Sequence, residues 1–175
     1  EENTLFLNAL RFVEVAVENN SLSLKIMSFS LRPKTLKAIV PDYNYEAVAI
    51  SGGVDLLWEG CLSRNLTLAA SGGADAKITA IETENLTVVV SGGADAEIEG
   101  ACNILSAAVS GGADLMAGVL EAKSAEVVAS GGADAVVCAT ESLNIAASGG
   151  ADVVYIGEPE HTDIKTSGGA SVSHR

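Results

Sequence analysis

Six aspartates recur at intervals of 18 to 20 residues: Asp55, Asp75, Asp95, Asp114, Asp134 and Asp152. Carboxylates held at one repeated offset could bind hard cations, and paired carboxylates could serve as the acid and base of glycoside cleavage. Each Asp stands four residues after a serine, in the corners Ser51-Gly52-Gly53, Ser71-Gly72-Gly73, Ser91-Gly92-Gly93, Ser110-Gly111-Gly112, Ser130-Gly131-Gly132 and Ser148-Gly149-Gly150. A seventh corner, Ser167-Gly168-Gly169, is followed by Ser171 where the others carry Asp. Between glycine and acid stands Val54, then Ala74, Ala94, Ala113, Ala133, Ala151 and Ala170.

Stacking such acids in one row has a cost. Neighbours about 4.8 Å apart repel by roughly 0.9 kcal/mol in water and roughly 3.5 kcal/mol at an effective dielectric of 20, so they cannot be both buried and bare. Exposure, hydrogen bonds from corner hydroxyls and N–H groups, or bound cations would each relieve it. The expectation is a structural turn with exposed acids. The calcium-binding β-roll repeats G-G-x-G-x-D every nine residues. Here the unit is Gly-Gly-Ala-Asp at about twenty, so no metal is expected. A phosphate cradle would need a helix after the glycines, and the pattern offers none. The glycines are read as corner residues that free the backbone to take positive φ.

Other reactive groups are few. His161 lies in a Glu-Pro-Glu-His turn, His174 is the penultimate residue, and neither G-x-S-x-G nor H-E-x-x-H occurs. No catalytic residue and no cofactor is expected, because catalysis by carboxylates needs two environments and the repeated acids share one. Tyr43 and Tyr45, two apart near Pro41, could form an exposed ring platform for a ligand. Trp58 and Tyr155, each seven residues after a corner serine, are expected on the inward face as core plugs. Asn65-Leu66-Thr67 and Asn85-Leu86-Thr87 match a glycosylation sequon, but asparagine ahead of a strand is also ordinary turn chemistry.

The elements that position these groups follow from alternation. In Ala74-Asp75-Ala76-Lys77-Ile78-Thr79 every second residue is apolar, which marks a half-buried strand. A second strand precedes each corner, with Leu66, Leu68 and Ala70, then Leu86, Val88 and Val90, and later Leu143, Ile145 and Ala147. A unit this short cannot bury its own apolar face, so neighbours must stack. Near-constant period favours parallel coils, which place like residue over like, and antiparallel meanders make no such demand. The third, fifth and seventh offsets from each serine then face inward: Ala74, Ala76 and Ile78, or Ala133, Ala135 and Val137.

Cys61, Cys102 and Cys138 would lie at least two coils apart, about 9.6 Å by strand spacing, beyond the roughly 7 Å Cα separation a disulfide tolerates. Three free thiols are expected. Residues 1–50 lack the corner motif but keep a strand rhythm at Arg11–Val17, Ser21–Met27, Thr35–Val40 and Tyr45–Ile50. The expectation is therefore a single domain over 1–175, with irregular N-terminal coils over 1–50 and regular coils over 51–175. Beginning Glu-Glu-Asn without an apolar leader, the chain is read as processed or trimmed.

With 175 residues, 48% of them apolar, the composition is globular. A net charge of −13 with scattered Lys and Arg disfavours nucleic acid and anionic membranes. Apolar runs are too short for a transmembrane helix.

The repeated S-G-G-A-D units, the Pro41-containing entry before the first, and the closing Tyr155-Ile156-Gly157-Glu158-Pro159 followed by Ser167-Gly168-Gly169 resemble the bacterial GIN-domain family, the head domain of auto-transporter adhesins common in Bacteroidetes. The resemblance covers residues 35–175 closely and 1–34 loosely. It implies a right-handed parallel β-helix exported beyond the inner membrane, with no catalytic residues to carry over. The function it implies is a non-enzymatic cell-surface or periplasmic domain, outer membrane-associated in some settings, that contacts protein or glycan. The alternatives are a polysaccharide lyase or hydrolase on the same scaffold, or a structural module that forms homo-oligomers through its open ends.

Overall fold

A computed structural model describes residues 13–18, 21–26 and 45–175. The chain divides into two compact units, Glu1–Tyr43 and Asn44–Arg175. In the first, β1 (Val13–Glu18) and β2 (Ser21–Ile26) pair antiparallel, with Val13 opposite Ile26 and Glu18 opposite Ser21. These strands depart from the stacked coils expected over 1–50. Only two residues separate them, enough for a hairpin but far short of the dozen or more a parallel crossover takes. The expected strand Thr35–Val40 lies outside the described residues.

The second unit is all β: parallel strands forming a solenoid of about six turns, with no helix among the described residues. After β3 (Ala47–Gly52), each coil is one long, bent strand: β4 (Asp55–Gly72), β5 (Asp75–Gly92), β6 (Asp95–Gly111), β7 (Asp114–Gly131) and β8 (Asp134–Gly149). Shorter pieces close it: β9 (Asp152–Ile156), β10 (His161–Thr166) and β11 (Ser171–His174). The sheet runs from β3 through β9 to β11, with β10 on β8. Asp pairs with Asp and Ser with Ser from rung to rung. Register shifts fall only between the two strand stretches of a coil, as at Ile78/Ile81 and Ala117/Glu121, so that is where units of different length are accommodated.

Alternation builds the core as expected. Ala74, Ala76 and Ile78, Ala133, Ala135 and Val137, and the second-stretch trio Leu86, Val88 and Val90 are all buried. No polar residue is buried among the described residues. Bulk is traded within a coil. Two coils pair a small residue with a large one, Ala76 with Ile78 and Ala96 with Ile98, whereas the next pairs Leu115 with Ala117, all buried. Cys61 and Cys102 are buried, Cys138 is half-buried, and all three are free. Burial pushes the Cys102 thiol up to about 11 and raises the other two.

The corner glycines are not equivalent. The first of each pair takes positive φ, from 70° at Gly168 to 83° at Gly111, and the second does not. A Cβ on Gly131 would meet the carbonyl oxygen of Gly111 at 2.9 Å, so close stacking adds to the conformational demand. Backbone bonds zip the corners together, Gly93 N–H to Gly72 O at 2.7 Å and Asp95 N–H to Ala74 O at 3.1 Å.

Candidate functional site

Because residues alternate in and out, the fourth and sixth offsets from each serine both point outward on one lateral face. The fourth offset is the acidic column, in continuous register from Asp55 to Asp152 and ending at Ser171. The sixth is a column of unlike side chains, Leu57, Lys77, Glu97, Met116, Val136, Val154 and Ser173, also in register. Together they line an open groove of about 470 Å³ along Asp55, Asp75, Asp95 and Asp114, with Leu57, Lys77, Glu97 and Met116 beside them. Leu57 is 78% exposed and Met116 49%, so the groove offers apolar contacts beside its acids.

Exposure is how the column tolerates its charge. Five of the six acids are exposed and Asp114 is half-buried. Only Asp152 has a side-chain hydrogen bond among the described residues, from Ser171. Partial burial, then the charges of Asp95 and Asp134, raise the Asp114 carboxyl above the ordinary range. The acids thus do not share one environment, contrary to what the repeat implied. Lys77 donates to Glu97 at 2.8 Å. That bond is the main cause that raises the Lys77 pKa; desolvation opposes it, and the charges of Glu97 and Glu99 add to it by less. No group of three or more His, Cys, Asp or Glu with metal-binding geometry occurs among the described residues.

The remaining sequence-named residues are scattered. Corner serines Ser71, Ser91, Ser110, Ser130 and Ser148 are half-buried, while Ser51 and Ser167 are exposed. Tyr45 is half-buried and lies edge-on to Trp58, centroids 6.0 Å apart at 73°. Tyr43 lies outside the described residues, so the two-ring platform has no described geometry. Trp58 and Tyr155 are partly buried and pack on the core. Tyr155 stacks on His174 at 4.7 Å and 13°, and His174 Nε2 sits 2.9 Å from Gly157 O. Asn85 Nδ2 donates to Asn65 Oδ1 at 2.8 Å, a two-rung asparagine ladder at the sequon positions.

A second corner escaped the sequence reading. Gly60, Gly100 and Gly157 take positive φ nine residues after Ser51, Ser91 and Ser148, and Ala80 does so nine after Ser71. Those glycines at fixed offset were the available signal.

The described residues thus form a parallel solenoid whose corner motif recurs in register. Residues 7–159 match the family described as "Putative auto-transporter adhesin, head GIN domain". The chain belongs to this family. The fold is also that of a crystal structure of a "putative adhesin" from Bacteroides fragilis, with TM-score 0.74 and 23% identity, covering 94% of this chain and 77% of that one. No curated protein matches the sequence. Family and neighbour share an adhesin description, and the acidic groove is the feature of this member that such a role can be weighed against. No helix among the described residues is long and apolar enough to cross a membrane.

Proposed function

We propose that this chain is a non-enzymatic binding domain, displayed at the cell surface or in the periplasm, whose groove-bearing lateral face contacts an extracellular protein or glycan. One observation carries the reading: an acidic column from Asp55 to Asp152 runs beside a column whose side chains differ from rung to rung through Leu57, Lys77, Glu97, Met116 and Val136. A rigid sheet with one variable outward column suits recognition, because the scaffold loses little entropy when the face is covered. The family description supports an external, adhesive role. Glycan arrays and immobilised matrix proteins test it. Binding by the wild type that weakens on L57S/M116S supports the reading, and absence of signal on both panels overturns it.

A second reading rests on Asp114. Its carboxyl is raised by partial burial and by Asp95 and Asp134 one rung away, and acid–base cleavage of a glycoside needs carboxyls whose environments differ in this way. Incubation with acidic polysaccharides, watching for new reducing or unsaturated ends that D114N abolishes, separates this from simple binding.

A further inference from the structure

We propose that two copies of this chain pair side by side through the lateral face of the second strand stretch, about a two-fold axis that runs along the strands between Val89 and Ala108. Outward columns build that face over the rungs β3 to β8, and none of the groove residues belongs to them. One column holds Ala49, Ala69, Val89, Ala108, Val128 and Ala146 in register, apolar throughout. Beside it runs a column through Thr67, Thr87, Ser106, Glu126 and Asn144, and then one through Asn65, Asn85, Ile104 and Ser124. Val89 is 40% exposed, Ile104 48% and Val128 47%, so the face turns its apolar groups to solvent.

Charge selects both the face and its occupant. The chain carries a net charge of −13, yet Glu126 is the one charged side chain in these columns from Ala47 to Ala146. A second copy can approach here without setting carboxylate against carboxylate, as it would if the rows from Asp55 to Asp152 met on the groove face. A strongly charged partner of either sign finds almost nothing on this face to pair with.

Shape fixes the register. A two-fold axis along the strands lays each column on itself and reverses the order of the rungs, so β5 meets the second copy's β6, β4 its β7 and β3 its β8. Val89 then lies over the second copy's Ala108, Val128 over its Ala69 and Ala49 over its Ala146, so each valine fills room that an alanine leaves. In the next column Thr87 meets the second copy's Ser106, and Thr67 offers a hydroxyl to the second copy's Glu126. An axis one rung higher would bring the two Glu126 carboxylates about 4.8 Å apart along the stack, and an axis through Ala108 itself would set Val89 against Val128. The chosen register makes the face its own complement, as a two-fold interface requires. Rungs about 4.8 Å apart and a width of five residues at about 3.4 Å give on the order of 500 Å² per copy, or about 1,000 Å² in all, the lower bound for specific association. The dimer is therefore weak, and screening of the acids elsewhere on the two copies should strengthen it.

Sedimentation equilibrium of the intact chain, from micromolar to millimolar and at low and high salt, tests the proposal. The wild type should dimerise, more tightly in high salt. V89E and A108K each put charge at the centre of the face and should weaken self-association by at least about tenfold. Both side chains point outward, so the thermal midpoint of each dilute monomer should stay within a few degrees of wild type. An equimolar mixture of V89E and A108K should associate again, because one cross-copy pair becomes acid on base and the other keeps its native valine on alanine. A mixture of V89E and V128K should not, since Val128 lies over Ala69. L57S/M116S, on the groove face, should dimerise as wild type does, which separates this interface from the binding role proposed above. A wild type monomeric throughout, a V89E that associates unchanged, a V89E and A108K mixture that fails to recover, or recovery with V128K instead would each overturn it.

Discussion

The Ser171 hydroxyl donates to Oδ1 of Asp152 at 2.6 Å. Ser171 occupies the seventh place of the acidic column, directly above Asp152 in register, so the row of like charges ends on a donor rather than another acceptor. Ser171→Asp would extend the row and delete that bond. Because the site is exposed, solvent screens most of the repulsion, and the expected loss is about 1 kcal/mol or less at low ionic strength. Thermal melts at 10 mM and 500 mM salt check it: the gap between variant and wild type should shrink in high salt.

Asp114 gives the column a pH signature. Its carboxyl is raised by burial first and by Asp95 and Asp134 second, so the folded chain binds a proton more readily than the unfolded one. The unfavourable contribution is present when Asp114 is ionised and is relieved as pH falls through its raised folded-state pKa. Stability should therefore rise slightly on acidification from neutral into the upper carboxylate range. D114N should be somewhat more stable than wild type at pH 7 and lose that advantage as the pH is lowered. Urea midpoints at several pH values measure both effects, and a D114N that is less stable at neutral pH contradicts the argument.

The trade of bulk between Leu115 and Ala117 predicts a rescue. Both are fully buried, in a coil where neighbours place Ala76 or Ala96 opposite Ile78 or Ile98. Leu115→Ala alone leaves a cavity that rigid rungs cannot collapse into and should cost about 2 to 5 kcal/mol. Adding Ala117→Ile restores the small-then-large order of the two preceding coils and should recover most of the loss. Denaturant unfolding of the single and double variants decides it; additive destabilisation would mean the two positions do not share space.

Much of this was legible in the sequence because a parallel stack converts period into columns. Alternation placed Ala74, Ala76 and Ile78 inside, and coil separation kept Cys61, Cys102 and Cys138 apart, as found. Direction was less legible: Val13–Glu18 and Ser21–Ile26 alternate as a coil strand would, and only their two-residue separation points to a hairpin. The second corner was obscured because Ala80 stands in for glycine in one coil and later coils shift register there. Which outward columns frame a groove depends on how rungs curve, and neither Leu57 nor Met116 announces that by type.

That second corner supplies a pair of opposite substitutions. Ala80 holds φ at +56°, the single non-glycine residue with positive φ among the described residues. A left-handed conformation costs a residue with a Cβ about 1 to 2 kcal/mol, while glycine adds about 0.4 to 1 kcal/mol of unfolded-state entropy. Ala80→Gly should therefore stabilise, by up to about 1 kcal/mol. Gly100 is the converse: with φ at +138°, an added Cβ would run into the backbone carbonyl of Ile81 one rung below. Gly100→Ala has no flexible side chain to displace and should cost more than about 3 kcal/mol, through strain plus local loss of the ladder. Chemical unfolding of the two variants beside the wild type tests the pair. If Ala80→Gly destabilises, or Gly100→Ala is neutral, the corner does not bend as described and the rungs on either side of it must pair differently.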